Sequence, residues 1–332
     1  MHPVIRAATL SRRGILNYFQ KRPFCVSFEI THDCNAHCDH CHLGGKVDTR
    51  RATPEEFAAR YRELKPIVIQ ISGGEPLLRK DAYEIVESLR HPNGVPYIIF
   101  VTNASFLTEE KYFRLRHSGV DVFSVSLDFP DERHDEFRSI PGLFGKIRDL
   151  ASAVTARGDE GVTLNSVVHS RNFRELLKMA ETARDWGVSI NFSPYTWLRT
   201  GDKSYLIGGD DLPEFRDIIQ RLIDFKSRYG VIRTSDSFMW DIAAFFQSKS
   251  RPGCRAGERF LVVNPDATLS PCGLIITDYT SWSGLKKGFC ASNTCSFCNT
   301  SIRANTESPV NNLLRGGLSS LFEMSKTQSA AG

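Results

Sequence analysis

Three cysteines within eight residues constrain this chain more than any other feature. Cys34, Cys38 and Cys41 are spaced CxxxCxxC and follow an apolar run at 24–31 that is typical of a β-strand. A loop this dense in soft ligands indicates a metal site rather than a packed core. Four histidines lie in or beside the same loop: His32, His37, His40 and His42.

The number of thiolates narrows the kind of metal site. A [4Fe–4S] cluster bound by four cysteines is fully coordinated and typically transfers electrons, whereas one bound by three leaves an iron free for another ligand. The loop alone also fits a zinc ion bound by Cys34, Cys38, Cys41 and one histidine. We favour the iron–sulfur interpretation.

The bulk composition excludes several classes of protein. With 332 residues, 41% hydrophobic and 24% charged, the chain is an ordinary globular protein. A net charge of +4 is too small to indicate a nucleic-acid partner, and we predict none. No apolar run is long enough for a signal peptide or a membrane span. The nine cysteines are therefore predicted to be cytoplasmic thiols, and their clustering indicates metal binding rather than disulfides.

Strands and helices alternate from residue 24 to residue 235. We predict six strands, at 24–31, 67–71, 97–101, 122–127, 162–168 and 188–192. Helices are predicted at 53–64, 81–90, 108–117, 143–157, 172–186 and 212–229. Six such units imply a parallel sheet covered by helices, and right-handed crossovers curl it toward a barrel. The predicted fold class is α/β, a partial (β/α)6 TIM-like barrel.

Three further segments complete the predicted organisation. Residues 1–23 are basic and are interpreted as a helix that caps the barrel, with Ile15, Leu16, Tyr18 and Phe19 on one face; peripheral contact with a lipid surface is the alternative. Residues 236–305 form a small cysteine-rich module with a helix at 238–246 and a strand at 259–264. Residues 306–332 are predicted to be an amphipathic helix and a flexible tail.

A second motif follows the second predicted strand. Gly73-Gly74-Glu75-Pro76 stands where the catalytic residues of βα barrels gather, at the carboxyl end of a strand. Glycines let the backbone approach a ligand closely, and a carboxylate can accept a hydrogen bond from an amine. Taken alone, these four residues would also fit an ordinary turn.

Together, the CxxxCxxC loop and the GGEP motif resemble the radical S-adenosylmethionine (radical SAM) superfamily. The resemblance implies a [4Fe–4S] cluster on Cys34, Cys38 and Cys41, and contact between the GGEP loop and the amino group of SAM. It also implies an external reductant such as flavodoxin or ferredoxin. His40 occupies the place of the family's usual aromatic residue, near adenine, and is expected to act through its backbone.

The resemblance extends to three later strand ends. Asn103 belongs to a Thr-Asn pair common in the family, and Ser126 and Asp128 stand where the family hydrogen-bonds the ribose and carboxylate of SAM. A run that includes His134 and Arg138 also matches. Each of these residues also fits a capping or turn role. No general base is identified. The loop with Tyr195, Trp197 and Arg199 would line a substrate pocket or pack on the second module.

The remaining cysteines resemble the C-terminal extensions called SPASM and twitch. The resemblance implies one auxiliary [4Fe–4S] cluster, with structural zinc as the alternative. Cys290 is an alternative to Cys254, Cys25 is expected to be a core thiol, and Ala267 replaces a glycine of the usual turn. The expected ligands are Cys254, Cys272, Cys295 and Cys298.

These features predict an enzyme that cleaves SAM and abstracts hydrogen from a peptide, small alcohol or lipid. Relatives that mature peptides often carry an N-terminal leader-binding domain, and the 23 residues before the first strand are too few for one, which weakens the peptide version. The alternative function is a non-catalytic redox regulator that binds iron–sulfur or zinc.

Overall fold

One eight-stranded sheet organises the chain in the computed structural model, which describes residues 3–41, 48, 50–91 and 94–307. Its strand order is β6-β5-β4-β3-β2-β1-β7-β8. All neighbours from β6 to β7 are parallel, and β8 is antiparallel to β7. The strands are β1 Cys25–Thr31, β2 Val68–Gly73, β3 Tyr97–Thr102, β4 Val122–Ser126, β5 Val162–Val168, β6 Ser189–Pro194, β7 Phe260–Val263 and β8 Leu269–Ser270.

Helices connect the strands and cover the outer face of the sheet. They are α1 Pro3–Phe19, α2 Pro54–Leu64, α3 Ala82–Leu89, α4 Glu109–Ser118, α5 Arg133–Arg138, α6 Leu143–Ala156, α7 Leu176–Asp185, α8 Asp211–Tyr229, α9 Asp236–Ser248, α10 Trp282–Gly288 and α11 Ser301–Glu307. The open, partial (β/α)6 barrel is confirmed, and every predicted strand is present to within two residues. Helices α5, α10 and α11 were not predicted. The predicted C-terminal helix and tail lie, from residue 308 onward, outside the described residues.

The capping signal before α2 has the predicted form. Thr53 accepts a hydrogen bond from the Glu56 backbone N–H, and Glu56 accepts one from the Thr53 N–H at 2.9 Å. Pro54 occupies the first helical position, where its missing N–H costs nothing. The capping box therefore fixes where the chain leaves the cysteine loop and enters the helix.

The two faces of the sheet differ in chemistry. Outward side chains such as Phe28, Ile71 and Phe100 are fully buried under the helices. Inward side chains on the first two strands are polar and line a cavity: Ser27, Glu29, Gln70 and Ser72. Side chains alternate between faces along a strand, so one face of these strands packs under the helices and the other lines the cavity.

The predicted second module continues the sheet of the barrel. Strand β7 pairs in parallel with β1, with Cys25 opposite Phe260 and Phe28 opposite Val263. The turn after β7 keeps a left-handed residue although alanine replaces the usual glycine, because Ala267 has φ 64°. The register places the cysteines around β7 and β8 beside the inner wall of the barrel.

The N-terminal segment forms a 17-residue helix at the amino ends of the strands. Asn17 is buried and donates to the carbonyl oxygens of Pro23 and Lys65, and Arg6 pairs with Asp121. The predicted helix is present, and the side chains predicted to share one face are exposed, with Phe19 at 77% and Leu16 at 42%. Polar contacts of Asn17 and Arg6 therefore attach this helix to the barrel.

None of the described helices has the combination of length and apolar character that crossing a bilayer requires.

Candidate functional site

The three clustered cysteines lie directly beyond the carboxyl end of β1. The Cys41 N–H donates to the Cys38 carbonyl at 3.0 Å, so the last turn of the loop is closed by its own backbone. Cys38 is buried, and Cys34 and Cys41 are half-buried. Burial raises the pKa of Cys38 to about 11 and also raises the pKa of Cys34. Without a cation these thiols stay protonated, so a bound metal would replace their protons.

The donor set fits an iron–sulfur cluster by its chemistry. In the described part of the chain, no three Cys, His, Asp or Glu side chains form a cage around one metal ion. A [4Fe–4S] cluster takes each thiolate at a different iron atom, so its ligands need not converge on one point. Three adjacent thiols of one loop are the donors that a cluster with one open iron requires.

The GGEP loop lies directly on the backbone of the cysteine loop. Gly74 donates to the Thr31 carbonyl at 2.8 Å, and Glu75 donates to the Asp33 carbonyl at 2.8 Å. A Cβ at Gly73 would lie 2.0 Å from the Thr31 oxygen, and one at Gly74 would lie 2.1 Å from the Asp33 oxygen. Glycine is therefore required at both positions because the backbone of the cysteine loop leaves no room for a side chain. The sequence predicted only a contact with a ligand there.

Glu75 joins the ends of β2 and β3. It is fully buried and accepts hydrogen bonds from the Leu77 N–H, the Thr102 hydroxyl and the Asn103 N–H. Burial raises the pKa of Glu75, while the hydrogen bond from Asn103 opposes that rise. The Asn103 amide donates to Asn35 in the cysteine loop at 3.0 Å. Because a carboxylate has about four acceptor positions, one remains for an amine.

Asp128 and Arg138 form a buried ion pair at the end of β4. Asp128 accepts from Arg138 Nε at 2.8 Å and Nη2 at 2.6 Å, and from the Val167 N–H at 3.1 Å. Burial alone would raise the pKa of Asp128, but the Arg138 charge holds it well below its usual range. Arg138 is therefore a buried cation of the site. From the sequence it was noted only as part of a run that resembles the family. Its position four residues after His134 was the one sequence feature that pointed to it.

His40 lies in the cysteine loop, and Ser126 lies at the carboxyl end of β4. The His40 ring stacks on Phe137 with centroids 4.9 Å apart, and loss of hydration lowers its pKa to about 3. His40 Nδ1 is buried without a hydrogen-bond partner among the described residues. Ser126 is the half-buried last residue of β4 and lies opposite Asn165. The imidazole of His40 is therefore neutral and packed against an aromatic ring.

The second set of cysteines shares one cavity with the inner wall of the barrel. This cavity of about 240 Å³ has Ser27, Gln70 and Ser72 on one side. Four cysteines line the other side: Cys254, Cys272, Cys295 and Cys298. Hydrogen bonding from Cys254 lowers the pKa of Cys295 to about 6, whereas burial raises the pKa of Cys272 to about 12.

The two other cysteines lie apart from this cavity. Cys290 lies outside the described lining, and its sulfur donates to the Ala256 carbonyl at 3.5 Å. Cys25 is buried at the start of β1, where burial raises its pKa to about 12. The geometry therefore separates Cys290 and Cys25 from the four cysteines that face each other.

Arg199 and Glu29 lie between the two sets of cysteines. Arg199 lines the cavity and donates from Nε to the Gly273 carbonyl at 2.7 Å, and its Nη2 is 3.3 Å from Glu29. Glu29 also lies 3.0 Å from His32 Nε2. Of the loop residues considered for the pocket, Arg199 faces it, whereas Tyr195 is buried against Tyr205.

Comparison with known proteins identifies the family. The model of the radical SAM superfamily matches residues 28–183, which include both loops and the Asp128–Arg138 pair. An AdoMet-dependent heme synthase of Methanosarcina barkeri is 35% identical over 188 residues, covering 54% of this chain and 52% of the relative. The mycofactocin maturase MftC of Mycobacterium tuberculosis is 27% identical over 288 residues, covering 83% of this chain and 70% of the relative.

A solved structure supports the same fold. Streptococcus suis SuiB bound to S-adenosylmethionine superposes with a TM-score of 0.62 at 14% identity, covering 92% of this chain and 71% of SuiB. The match with the heme synthase spans about half of that relative's length. A [4Fe–4S] cluster and SAM are the cofactors of the matched superfamily. Residues 28–183 of this chain therefore form a radical SAM domain.

Proposed function

We propose that Cys34, Cys38 and Cys41 hold a [4Fe–4S] cluster at which SAM binds. The observation that carries this assignment is the backbone contact between the cysteine loop and the GGEP loop, at Gly74 and Glu75. This contact holds the glycine-rich backbone beside the loop that carries the three cysteines. When bound, the cluster and SAM supply a 5′-deoxyadenosyl radical that abstracts a hydrogen atom from the substrate.

The surrounding side chains would position SAM. The fourth acceptor position of Glu75 suits the SAM amino group, with Gly73, Gly74 and Pro76 forming the backbone of that loop. The buried Arg138 cation suits the SAM carboxylate, so Asp128 would act by orienting Arg138 rather than by touching SAM. Asn103, Ser126 and the His40 backbone would complete the site: they lie at or beside the carboxyl ends of β3, β4 and β1.

We further propose an auxiliary [4Fe–4S] cluster on Cys254, Cys272, Cys295 and Cys298. Its support is the shared cavity, which is lined by these four cysteines and not by Cys290. The four cysteines would hold a fully coordinated cluster, which would supply an acceptor for one electron from the substrate. Net oxidation or bond formation would follow, with an external flavodoxin or ferredoxin as electron donor and a reducing compartment, the cytoplasm, as location.

Metal analysis tests the two cluster assignments. After anaerobic reconstitution we expect about eight irons per chain, about four in Cys295→Ala, and no loss in Cys290→Ala. Zinc in place of half of the iron would contradict the auxiliary cluster. Loss of iron from Cys290→Ala equal to that from Cys295→Ala would contradict the ligand set.

The substrate is proposed to be a peptide. One similar protein is a mycofactocin maturase, and SuiB was solved bound to the precursor peptide SuiA. In this chain Ser27, Gln70 and Ser72 on the inner wall and the charged Glu29–Arg199 pair offer polar contacts to a peptide backbone. A small alcohol or a lipid remains the alternative, and the exposed apolar residues of α1 suit peripheral membrane contact.

The activity itself is tested by SAM cleavage. Reduced, reconstituted protein should release 5′-deoxyadenosine from SAM, Cys41→Ala should release none, and Cys25→Ala should match the unchanged chain. An intact cluster that never cleaves SAM would favour the redox regulator instead. Cys295→Ala should still cleave SAM but should not form the oxidised product.

A further inference from the structure

Helix α11 carries two buried charged side chains, Arg303 and Glu307, one turn apart. Arg303 Nε donates to a carboxylate oxygen of Glu307 at 3.0 Å. The Arg303 side chain is fully buried, and that of Glu307 is 9% exposed. A buried ion pair is weak evidence for stability, because the loss of hydration offsets much of the attraction between the charges. The further contacts of this pair therefore indicate its role better than its own energy does.

Arg303 contacts two of the chain segments that carry the second set of cysteines. Its Nη1 donates to the Cys298 carbonyl oxygen at 2.7 Å and lies 3.9 Å from the Cys298 sulfur. Its Nη2 donates to the carbonyl oxygens of Arg251 and Pro252, at 2.7 Å and 2.9 Å. Those two residues come just before Cys254 in the chain. One guanidinium therefore joins the segment before Cys254 to the segment of Cys298.

Glu307 holds the backbone next to Cys254. Its second carboxylate oxygen accepts a hydrogen bond from the Arg255 N–H at 2.7 Å. The five N–H donors of Arg303 are matched by five contacts: the Glu307 carboxylate, three carbonyl oxygens and one sulfur. Because these contacts use every donor, Arg303 acts on the cysteine segments and not on a substrate.

The Arg303 charge acts on the thiols that it approaches. Burial raises the pKa of Cys298, and the Arg303 charge opposes that rise. The hydrogen bond with Cys295 raises the pKa of Cys254, and the Arg303 charge again acts in the opposite direction. A cation that stabilises thiolates also stabilises the more electron-rich state of a cluster bound to them. A buried cation does so with little screening by water.

We propose that the buried Arg303–Glu307 pair sets the reduction potential of the auxiliary cluster, with Arg303 raising the potential and Glu307 limiting the rise. This role depends on the auxiliary cluster proposed above. A raised potential favours electron transfer from the substrate. The substrate would lose one hydrogen atom to the 5′-deoxyadenosyl radical, then one electron to the oxidised auxiliary cluster and one proton to water. Its net loss is two electrons and two protons.

Redox titration of the reconstituted protein, followed by electron paramagnetic resonance, measures this potential. The auxiliary signal is the one that Cys295→Ala lacks. Arg303→Met should shift the one-electron equilibrium of that cluster at least tenfold toward the oxidised state, which corresponds to about 59 mV. Arg303→Lys keeps the charge and should shift it less. Arg255→Met removes an exposed cation beside Cys254 and should shift it less than about twofold, because water screens that charge.

Replacing the anion of the pair should have the opposite effect. Glu307→Gln keeps the size of the side chain and an acceptor oxygen but leaves the Arg303 charge unopposed. The equilibrium should therefore shift at least threefold toward the reduced state. Glu258→Gln is the matched control at an exposed glutamate and should shift it less than about twofold. A purely structural role of the pair would not produce shifts of opposite sign.

Iron analysis of the same samples separates the two proposals. An unchanged protein that holds only about four irons, with no signal assigned to Cys295, would overturn the auxiliary cluster and this role with it. Two clusters with an unaltered auxiliary potential in Glu307→Gln would overturn the role of the pair alone. If Arg303→Met fails to fold or to hold the second cluster, the direction of the shift in Glu307→Gln still decides.

Discussion

Arg199 Nη1 lies 3.9 Å from the sulfur of Cys41. The same guanidinium donates from Nε to the carbonyl oxygen of Gly273, which is adjacent to Cys272. One side chain therefore contacts the loop of the first cysteine set and the loop of the second. Its charge is balanced by Glu29 at 3.3 Å, so the cation is held in place from three directions.

Replacing Arg199 should change the reduction potential of the first cluster. A cationic donor beside a thiolate stabilises the more electron-rich state, so Arg199→Met should lower the potential. Loss of about 1 kcal/mol of hydrogen bonding corresponds to roughly 40 mV for a one-electron couple. Redox titration followed by electron paramagnetic resonance measures the shift. Arg199→Lys, which keeps the charge, should shift the potential less, and an unchanged potential in Arg199→Met would show that the contact does not affect the cluster.

Replacing Asp128 should destabilise the barrel and weaken SAM binding. Asp128→Asn leaves the Arg138 charge buried without its anion, and breaking one side of a buried pair costs about 3–5 kcal/mol. Urea denaturation measures the stability, and equilibrium dialysis of reconstituted protein measures SAM affinity. The matched control is Asp149→Asn, which breaks an exposed pair with Arg148 and should cost less than about 1 kcal/mol. If the two variants lose the same free energy of unfolding, the buried Asp128–Arg138 pair does not stabilise the barrel more than an exposed pair does.

Adding one methyl group at Gly74 should disrupt the cysteine loop. The new Cβ would lie 2.1 Å from the Asp33 carbonyl oxygen, and only a backbone shift can relieve that clash. Gly74→Ala should therefore retain less than half of the iron of the unchanged chain after reconstitution. Gly208→Ala is the control, because its Cβ would have nothing within 4 Å. Full iron loading in Gly74→Ala would refute the proposed dependence of the cluster on this contact.

The fold was predictable because its signals are local. The capping box at Thr53 and the alternation of apolar and helical segments depend on a few neighbouring residues, and the structure has them where expected. The pairing of β7 with β1 was not predictable, since residues 25 and 260 are far apart in sequence and β7 adds to the edge of β1 that β2 leaves free. The helix α1 was predictable, but its anchor was not: buried Asn17 donates to two carbonyl oxygens, and hydrophobic periodicity gives no sign of that contact.

The candidate site was predictable in its residue types but not in their contacts. Spacing alone indicated Cys34, Cys38 and Cys41, because the ligands come from one loop. The choice between Cys254 and Cys290 needed the shared cavity, which joins residues far apart in sequence. The role of Arg138 was hidden because an arginine in a helix is usually a surface residue; only its burial beside Asp128 reveals it.

Acid should destabilise the metal-free protein through two buried histidines. Burial lowers the pKa of His134 to about 4 and that of His169 to about 4, whereas in the unfolded chain histidine titrates near 6.5. Between these values the unfolded state binds protons that the folded state does not. Stability is therefore fully present above about pH 6.5 and falls as the pH drops toward 4.

Urea denaturation at several pH values between 4 and 7.5 measures this dependence. His134→Gln keeps an acceptor for the Asp128 N–H but removes one titrating group, so the loss of stability across the window should shrink by roughly 1–3 kcal/mol. The exposed His117→Gln is the control and should leave the pH profile unchanged. An identical profile in His134→Gln would mean that the pKa of His134 is the same in the folded and unfolded states, so that burial does not disfavour its charged form.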